Sequence, residues 1–307
     1  KQISLLDLKG KTILLTSPLS YQVYEDLAKK EVAAIVVASG SIYDDLANTD
    51  LEEKALRERH YKHGKIPCFT MRMTDCEKLV LSNPEEVYFK VIQKESLATS
   101  HNLVATIKGS EKPEEVVCFT AHYDSVRFST GAYDNGTGSV TILEVLHYYV
   151  KNAPKRTLKF IWCGSEEMGL LGSHAYVNTH KEELENYKLC INVDMTGVPL
   201  GKDIAVCTSE MSLVNYIDYY AKNIGFMIDT NQGVYSSDST PFAFNNVPAV
   251  SFARISPRGG AEIHSRRDVI SLINPIYLEK TILFIISLSE NLISSVYFPV
   301  PKSMPQN

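Results

Sequence analysis

Val116-Val117-Cys118-Phe119-Thr120-Ala121-His122-Tyr123-Asp124-Ser125-Val126 runs from a continuous, mostly apolar hexamer straight into an imidazole and a carboxylate. A short run without apolar/polar alternation reads as a strand covered on both faces, the pattern of a parallel sheet packed between helices. Moving outward, Leu103–Ile107, Leu158–Cys163, Leu189–Val193, Ile204–Cys207 and Pro248–Phe252 repeat the pattern. Between them Thr137–Lys151 places Val140, Leu143, Leu146 and Val150 on one stripe, and Ser212–Ile224 and Tyr277–Ile293 follow the same helical period. The expected fold is therefore α/β, a central sheet sandwiched by helices. Ligands of such sheets sit beyond the carboxyl ends of the strands, so the residues that leave each strand carry the functional reading.

Those exits are rich in chemistry. His122 and Asp124 follow Val116–Ala121, Glu166 and Glu167 follow Leu158–Cys163, and Asp194 follows Leu189–Val193. Asp134 lies in the turn Gly131-Ala132-Tyr133-Asp134-Asn135-Gly136 ahead of a helix, and His264 follows the Gly259-Gly260 loop. Each alone has a bland reading: a polar surface pair, a helix N-cap, a helix start favoured by its dipole. Aimed together at one sheet end they would repel one another and hold carboxyl groups protonated unless a cation sat among them. Imidazole plus carboxylate without cysteine suits zinc or a similar borderline ion. Five such donors exceed what one ion needs, whereas two ions roughly 3.5–4 Å apart, bridged by one carboxylate, use them all. Asp124, two residues beyond His122 on an extended strand, is placed to hold the far ring nitrogen of that histidine.

The chain of 307 residues, 44% apolar and 22% charged, is globular by composition, and its length suggests about two domains at roughly 150 residues each. Residues 1–97 read as a smaller α/β unit, with strands expected at Thr12–Thr16, Ala33–Ala38, Ile66–Met71 and Val87–Ile92, a helix at Tyr21–Glu31 and a solvated excursion over Asp50–Lys65. The polar stretch Lys94–His101 marks the boundary, so residues 98–307 form the second domain. A net charge of −5 with scattered lysines and arginines provides no field for nucleic acid. No apolar stretch approaches the roughly 20 residues of a membrane span. Lys1–Gly10 carries charge without the apolar segment of a secretory signal. The six cysteines show no paired spacing; read as free core thiols they favour a reducing, cytoplasmic setting, with secretion left open.

Three ordered motifs carry a family likeness. Cys118–Val126, Gly131–Gly138 and Gly164-Ser165-Glu166-Glu167-Met168-Gly169-Leu170-Leu171-Gly172-Ser173, continued by Asn192-Val193-Asp194 and Ile263-His264-Ser265, resemble the aminopeptidase Y-type dinuclear-zinc metallopeptidases, kin of glutamate carboxypeptidase, transferrin receptor and glutaminyl cyclase. The likeness covers about Asn102 to Leu292, and the first unit resembles the protease-associated domain that accompanies such enzymes. The resemblance implies a mixed sheet of the zinc-exopeptidase, phosphorylase/hydrolase-like type and two zinc ions. It implies that His122 and Asp194 hold one ion, Glu167 and His264 the other, and Asp134 bridges, with Glu166 as general base and Asp124 behind His122. It further implies a peptide substrate attacked at its free amine end.

Two positions depart from the family pattern. Ser239, in Ser236-Ser237-Asp238-Ser239-Thr240-Pro241-Phe242, stands where His is usual, and Ile263 stands where several relatives carry an oxyanion-donating Tyr, which makes Tyr235 the candidate donor. Alternatives are a carboxypeptidase or dipeptidase gripping a terminal carboxylate with Arg254 or Arg258, a glutaminyl cyclase working at one zinc, and a receptor-like binding protein without activity. The oligomeric state is open.

Overall fold

The computed structural model describes residues 3–40, 56, 58–92 and 96–302. The chain divides into two compact units, Lys1–Leu97 and Ala98–Asn307. The first contains β1 (Thr12–Leu15), α1 (Tyr21–Lys29), β2 (Ala34–Ser39), α2 (Glu58–Tyr61), β3 (Cys68–Arg72) and α3 (Met73–Leu81), with the strands in one parallel sheet ordered β1-β2-β3. Helix α1 starts where the Ser20 hydroxyl accepts the Val23 N–H at 3.2 Å, and it buries Tyr24 and Leu27 on the sheet side. The Tyr24 hydroxyl donates to the Gly64 carbonyl at 2.7 Å and accepts the Ile66 N–H at 3.0 Å, so this core aromatic keeps its polar end satisfied.

The strand expected over Val87–Ile92 does not form. Tyr88, Val91 and Ile92 are exposed, and Phe89 alone finds a partner, stacking on Phe69 with ring centroids 4.7 Å apart. A run of β-branched and aromatic residues forms a strand only when a second strand takes up its backbone groups, and here none among the described residues does. Of the Asp50–Lys65 excursion, residues 50–55 and 57 lie outside the described residues, and Glu58–Tyr61 is one helical turn.

The second unit runs β4 (Leu103–Ile107), β5 (Lys112–His122), α4 (Thr137–Lys151), β6 (Arg156–Cys163), α5 (Leu171–Thr179), β7 (Tyr187–Val193), β8 (Lys202–Thr208), α6 (Met211–Asn223), β9 (Asp229–Gln232), α7 (Ser239–Phe244), β10 (Ala249–Ile255), α8 (Pro257–Glu262) and α9 (Pro275–Ser294). Its seven strands form one mixed sheet ordered β4-β6-β5-β7-β10-β8-β9. The four central strands β6, β5, β7 and β10 are mutually parallel; β4 and β8 run antiparallel to their inner neighbours, and β9 pairs parallel to β8 at the edge.

Strand β5 shows why the sheet is sandwiched. Val117, Phe119 and Ala121 enter one apolar cluster with residues of α4, α6 and α9, while Val116 and Cys118 enter another with residues of α5 and α7. Period-2 alternation thus feeds two cores, and every residue must be apolar or small. Each large side chain so buried stabilises by roughly 1.5–3 kcal/mol. The end of α9 is held by Arg156, fully buried on β6, whose Nη1 donates to the carbonyls of Ile293 at 2.8 Å and Ser295 at 2.6 Å while its Nε pairs with Glu115.

A further sequence expectation changes here. The stripe Val140, Leu143, Leu146 and Val150 is not the buried face of α4, for Val140, Leu143 and Val150 are exposed; Gly138, Thr141, Ile142, Val145 and Tyr149 face the core. The rotation follows from Gly138, where a Cβ would lie 2.2 Å from the Val193 carbonyl oxygen, so the helix touches β7 along its smallest residue. Strand β9 has the sequence Asp-Thr-Asn-Gln and carries no apolar signal because it is a mostly exposed edge. All six cysteines are free, and Cys118, Cys163, Cys190 and Cys207 are buried on strands as expected. Among the described residues no helix is long and apolar enough to cross a membrane.

Candidate metal centre

Three neighbouring parallel strands deliver their exits to one edge of the sheet. His122 ends β5, Glu166 and Glu167 follow β6, and Asp194 follows β7. Asp134 comes from the turn between Gly131, whose φ of 60° is left-handed, and the start of α4, and His264 comes just after α8. In that turn Asn135 Nδ2 donates to the Val193 carbonyl at 2.9 Å, tying the Asp134 loop to the strand that ends beside Asp194.

The structure gathers these side chains into two groups of donors, His122, Glu166 and Asp194 in one, Asp134, Glu167 and His264 in the other. Asp134 joins them. Its Oδ1 lies 3.2 Å from His122 Nε2 and its Oδ2 lies 3.3 Å from His264 Nε2. Asp194 Oδ1 is 3.5 Å from His122 Nε2, and Glu167 Oε2 is 3.1 Å from His264 Nε2. Donor atoms on a tetrahedron with bonds of about 2.0–2.1 Å are roughly 3.3–3.4 Å apart, so this spacing matches atoms grouped around an ion. Asp194 Oδ1 and Glu167 Oε1 are buried with no hydrogen-bond partner, which inside a protein is costly unless a cation compensates them. The donor set fits a pair of divalent ions of the zinc type.

The first group is shaped from behind. His122 is 1% exposed, and its Nδ1–H donates to the Asp124 carbonyl at 3.0 Å, leaving the Nε2 lone pair turned towards Asp134 and Asp194. Asp124 therefore meets the ring mainly through its backbone; its carboxylate Oδ1 is 3.7 Å from Nδ1. The carboxylate has a second task, accepting the Glu166 N–H at 3.0 Å and the Glu167 N–H at 3.3 Å. That grip holds the two glutamates after Ser165, whose φ of 58° turns the chain sharply out of β6, and sends them to different donor groups.

Electrostatics report the same crowding. Burial pushes the His122 pKa down, but the carboxylates of Asp124, Asp134 and Asp194 outweigh it and hold the pKa well above the usual imidazole value. Burial raises Asp134, and the two histidines more than offset this, bringing it to about 2. Glu166 is pushed up to about 9, first by burial and then by Asp194, Asp238 and Glu167, with His122 opposing. Without a cation the site therefore holds protons that a cation would displace.

Sequence reasoning passed over two carboxylates. Asp268, four residues beyond His264, is fully buried and accepts the backbone N–H groups of Tyr133 and Asp134. Asp238 is fully buried, with neither oxygen hydrogen-bonded. Its only trace in the sequence is its place in the Ser236–Phe242 stretch, where Ser239 Oγ now meets Ser251 Oγ at 2.7 Å. Tyr235 brings a buried hydroxyl without a partner, its pKa raised by burial and by Asp194, Tyr133, Asp134 and Glu166. Arg254, proposed for gripping a terminal carboxylate, is engaged elsewhere: Nε donates to the Val198 carbonyl at 2.7 Å, Nη1 pairs with Asp203, and the guanidinium lies 4.2 Å from the centre of the Tyr277 ring.

The model of peptidase family M28 matches residues 102–288. Aminopeptidase YwaD of Bacillus subtilis is 32% identical over 195 residues, a stretch that takes in 61% of this chain and 42% of the relative. The chain thus spans about two fifths of that protein's length. The structure of BSAP, a zinc aminopeptidase from Bacillus subtilis, superposes with a TM-score of 0.72 at 22% identity, over 93% of this chain and 70% of that one. A glutaminyl cyclase from an Acidobacteriales bacterium superposes with a TM-score of 0.54 at 19% identity, over 62% of this chain and 73% of that one. Both likenesses concern the fold. Because the family match begins at β4, ends within α9 and encloses every strand-exit residue that converges on Asp134, the chain belongs to peptidase family M28.

Proposed function

We propose that the protein is a zinc-dependent aminopeptidase, hydrolysing peptide bonds next to a free amine with two metal ions held by His122, Asp194, Glu167, His264 and the bridging Asp134. The observation that carries this reading is the position of Asp134, one carboxylate oxygen towards each histidine at 3.2 and 3.3 Å. Family membership and the aminopeptidase relatives support the reaction class. The engagement of Arg254 weighs against the carboxypeptidase alternative, and Arg258 is exposed. The first unit then serves as an accessory domain of the protease-associated type, since among the described residues both donor groups lie in the second unit.

When bound, the ions supply Lewis-acid polarisation of the scissile carbonyl and acidify water. Everything else falls to side chains. Glu166 accepts a proton from the attacking water and passes it to the leaving amine, a role open to a carboxylate held beside the donors. Asp124 keeps Glu166 aimed through its backbone N–H. Tyr235 offers its hydroxyl to the oxygen that gains charge as the carbonyl becomes tetrahedral, a contact whose loss costs about 10²–10³ in kcat.

The test pairs two variants with two substrates. Glu166→Gln should retain metal and lose most turnover, whereas Asp134→Ala should lose metal as well, read by metal content and initial rates. Wild type should cleave a free-amine peptide and leave its amine-blocked counterpart intact. Cleavage of the blocked peptide would remove the aminopeptidase assignment, and unchanged turnover in Glu166→Gln would remove the assigned base.

A further inference from the structure

We infer that Asp268 is a positioning residue for Asp134, locking the bridging carboxylate between the two histidines; the inference rests on the dinuclear reading above. The backbone at this point has no regular partner. Asp134 (φ −113°, ψ 89°) and Asn135 (φ −136°, ψ 48°) are non-helical, so the N–H groups ahead of α4 need acceptors from elsewhere. Asp268 supplies both. One carboxylate oxygen accepts the Tyr133 N–H at 2.7 Å and the other accepts the Asp134 N–H at 3.0 Å, with the side chain fully buried.

Further bonds make this a staple between two ligand-bearing segments. The Asp268 carbonyl accepts the Thr130 hydroxyl, and the Asp268 N–H donates to the Ser265 carbonyl at 3.2 Å, one residue beyond His264. From the other side the Tyr133 hydroxyl donates to the Arg254 carbonyl at 2.8 Å, and the Tyr133 ring lies against Gly259, where a Cβ would come within 2.7 Å. The segment that carries His264 is thereby fastened to the loop that carries Asp134. Rotation of the 133–134 backbone would carry one Asp134 oxygen away from its histidine, so the two N–H bonds determine whether the carboxylate spans both donor groups.

A planar carboxylate can accept two N–H groups, whereas an amide accepts on one side and donates on the other. Asp268→Asn therefore sets an N–H against an N–H and should tilt Asp134. Asp268→Glu keeps the charge and misplaces it by one methylene. Both are compared with wild type in the full chain by zinc titration against a competing chromophoric chelator, by kcat and KM on an aminoacyl substrate, and by circular dichroism. Both variants should remain folded, lose about 10–100-fold in affinity for zinc, and lower kcat with little change in KM. If Asp268→Asn fails to fold, Asp268→Glu carries the comparison. Wild-type zinc affinity in Asp268→Glu would overturn the positional role, whether or not Asp268→Asn binds. A wild type that binds no zinc would overturn the dinuclear reading and this inference together, so the two failures are distinguishable.

Discussion

Asp238 has fully buried oxygens without hydrogen bonds, and such a group is tolerated at a cost of several kcal/mol when ionised. Burial first, then Asp194, lifts its pKa from 3.8 to about 6 against the pull of His122. A carboxyl whose folded pKa exceeds its unfolded value stabilises the fold while protonated, and that contribution fades as pH rises through about 6. Glu166, raised to about 9, has the same sign over a higher range. The metal-free protein should therefore lose stability between roughly pH 4 and 9, and Asp238→Asn should flatten the lower part of that slope by on the order of 2–4 kcal/mol. Denaturant melts across pH, with chelator present, check this; an unaltered slope in Asp238→Asn means that the carboxyl finds a partner in solution. Tyr235→Phe removes only an oxygen and should reduce kcat by about 10²–10³ without loss of metal, measured beside metal content. Residue type and spacing do not separate Asp238 and Asp268 from surface aspartates, because burial and partners belong to the fold.

At the scale of elements, the strand exits were legible and the helix rotations were not. The apolar runs of β5, β6 and β7 end in His122, Glu166 and Asp194 because a doubly covered strand stays apolar until it leaves the sheet. Helix α4 carries apolar residues on two faces, so its period allowed either, and contact of Gly138 with the Val193 carbonyl selected the face containing Ile142 and Val145. Ile142→Ala should cost about 2–5 kcal/mol, as deletions in packed cores do, whereas Val140→Ala, on the face first expected to be buried, should cost under about 1 kcal/mol. Paired denaturant melts decide between them, and equal losses would mean that the helix sits differently. Strand β9 escaped notice for the opposite reason, since an exposed polar edge leaves no hydrophobic period.

For the whole molecule, the donors lie between residues 122 and 264, so any ion they share ties distant parts of the second unit together. Ligand linkage at about 100 times Kd stabilises by roughly 2.7 kcal/mol, which for a unit of this size corresponds to roughly 5–10 °C. Chelation should therefore lower the melting temperature of the second unit by about that much and leave any separate transition of the first unit in place, as seen by calorimetry. A chelator that shifts neither transition would leave the donor groups without an ion to hold. What the amino-acid order determined unaided was the α/β class, the seven side chains at strand ends and turns, and the chemistry that imidazoles and carboxylates share. Those properties are local: hydrophobic period and residue type suffice to state them. Only tertiary structure decided that Asp134 faces both histidines, that Asp124 meets His122 through its carbonyl, that Arg254 is engaged and that Asp268 holds the bridging loop. Each of these depends on which groups meet across a turn or between segments far apart in the chain, and such meetings exist only once the sheet has brought the segments together.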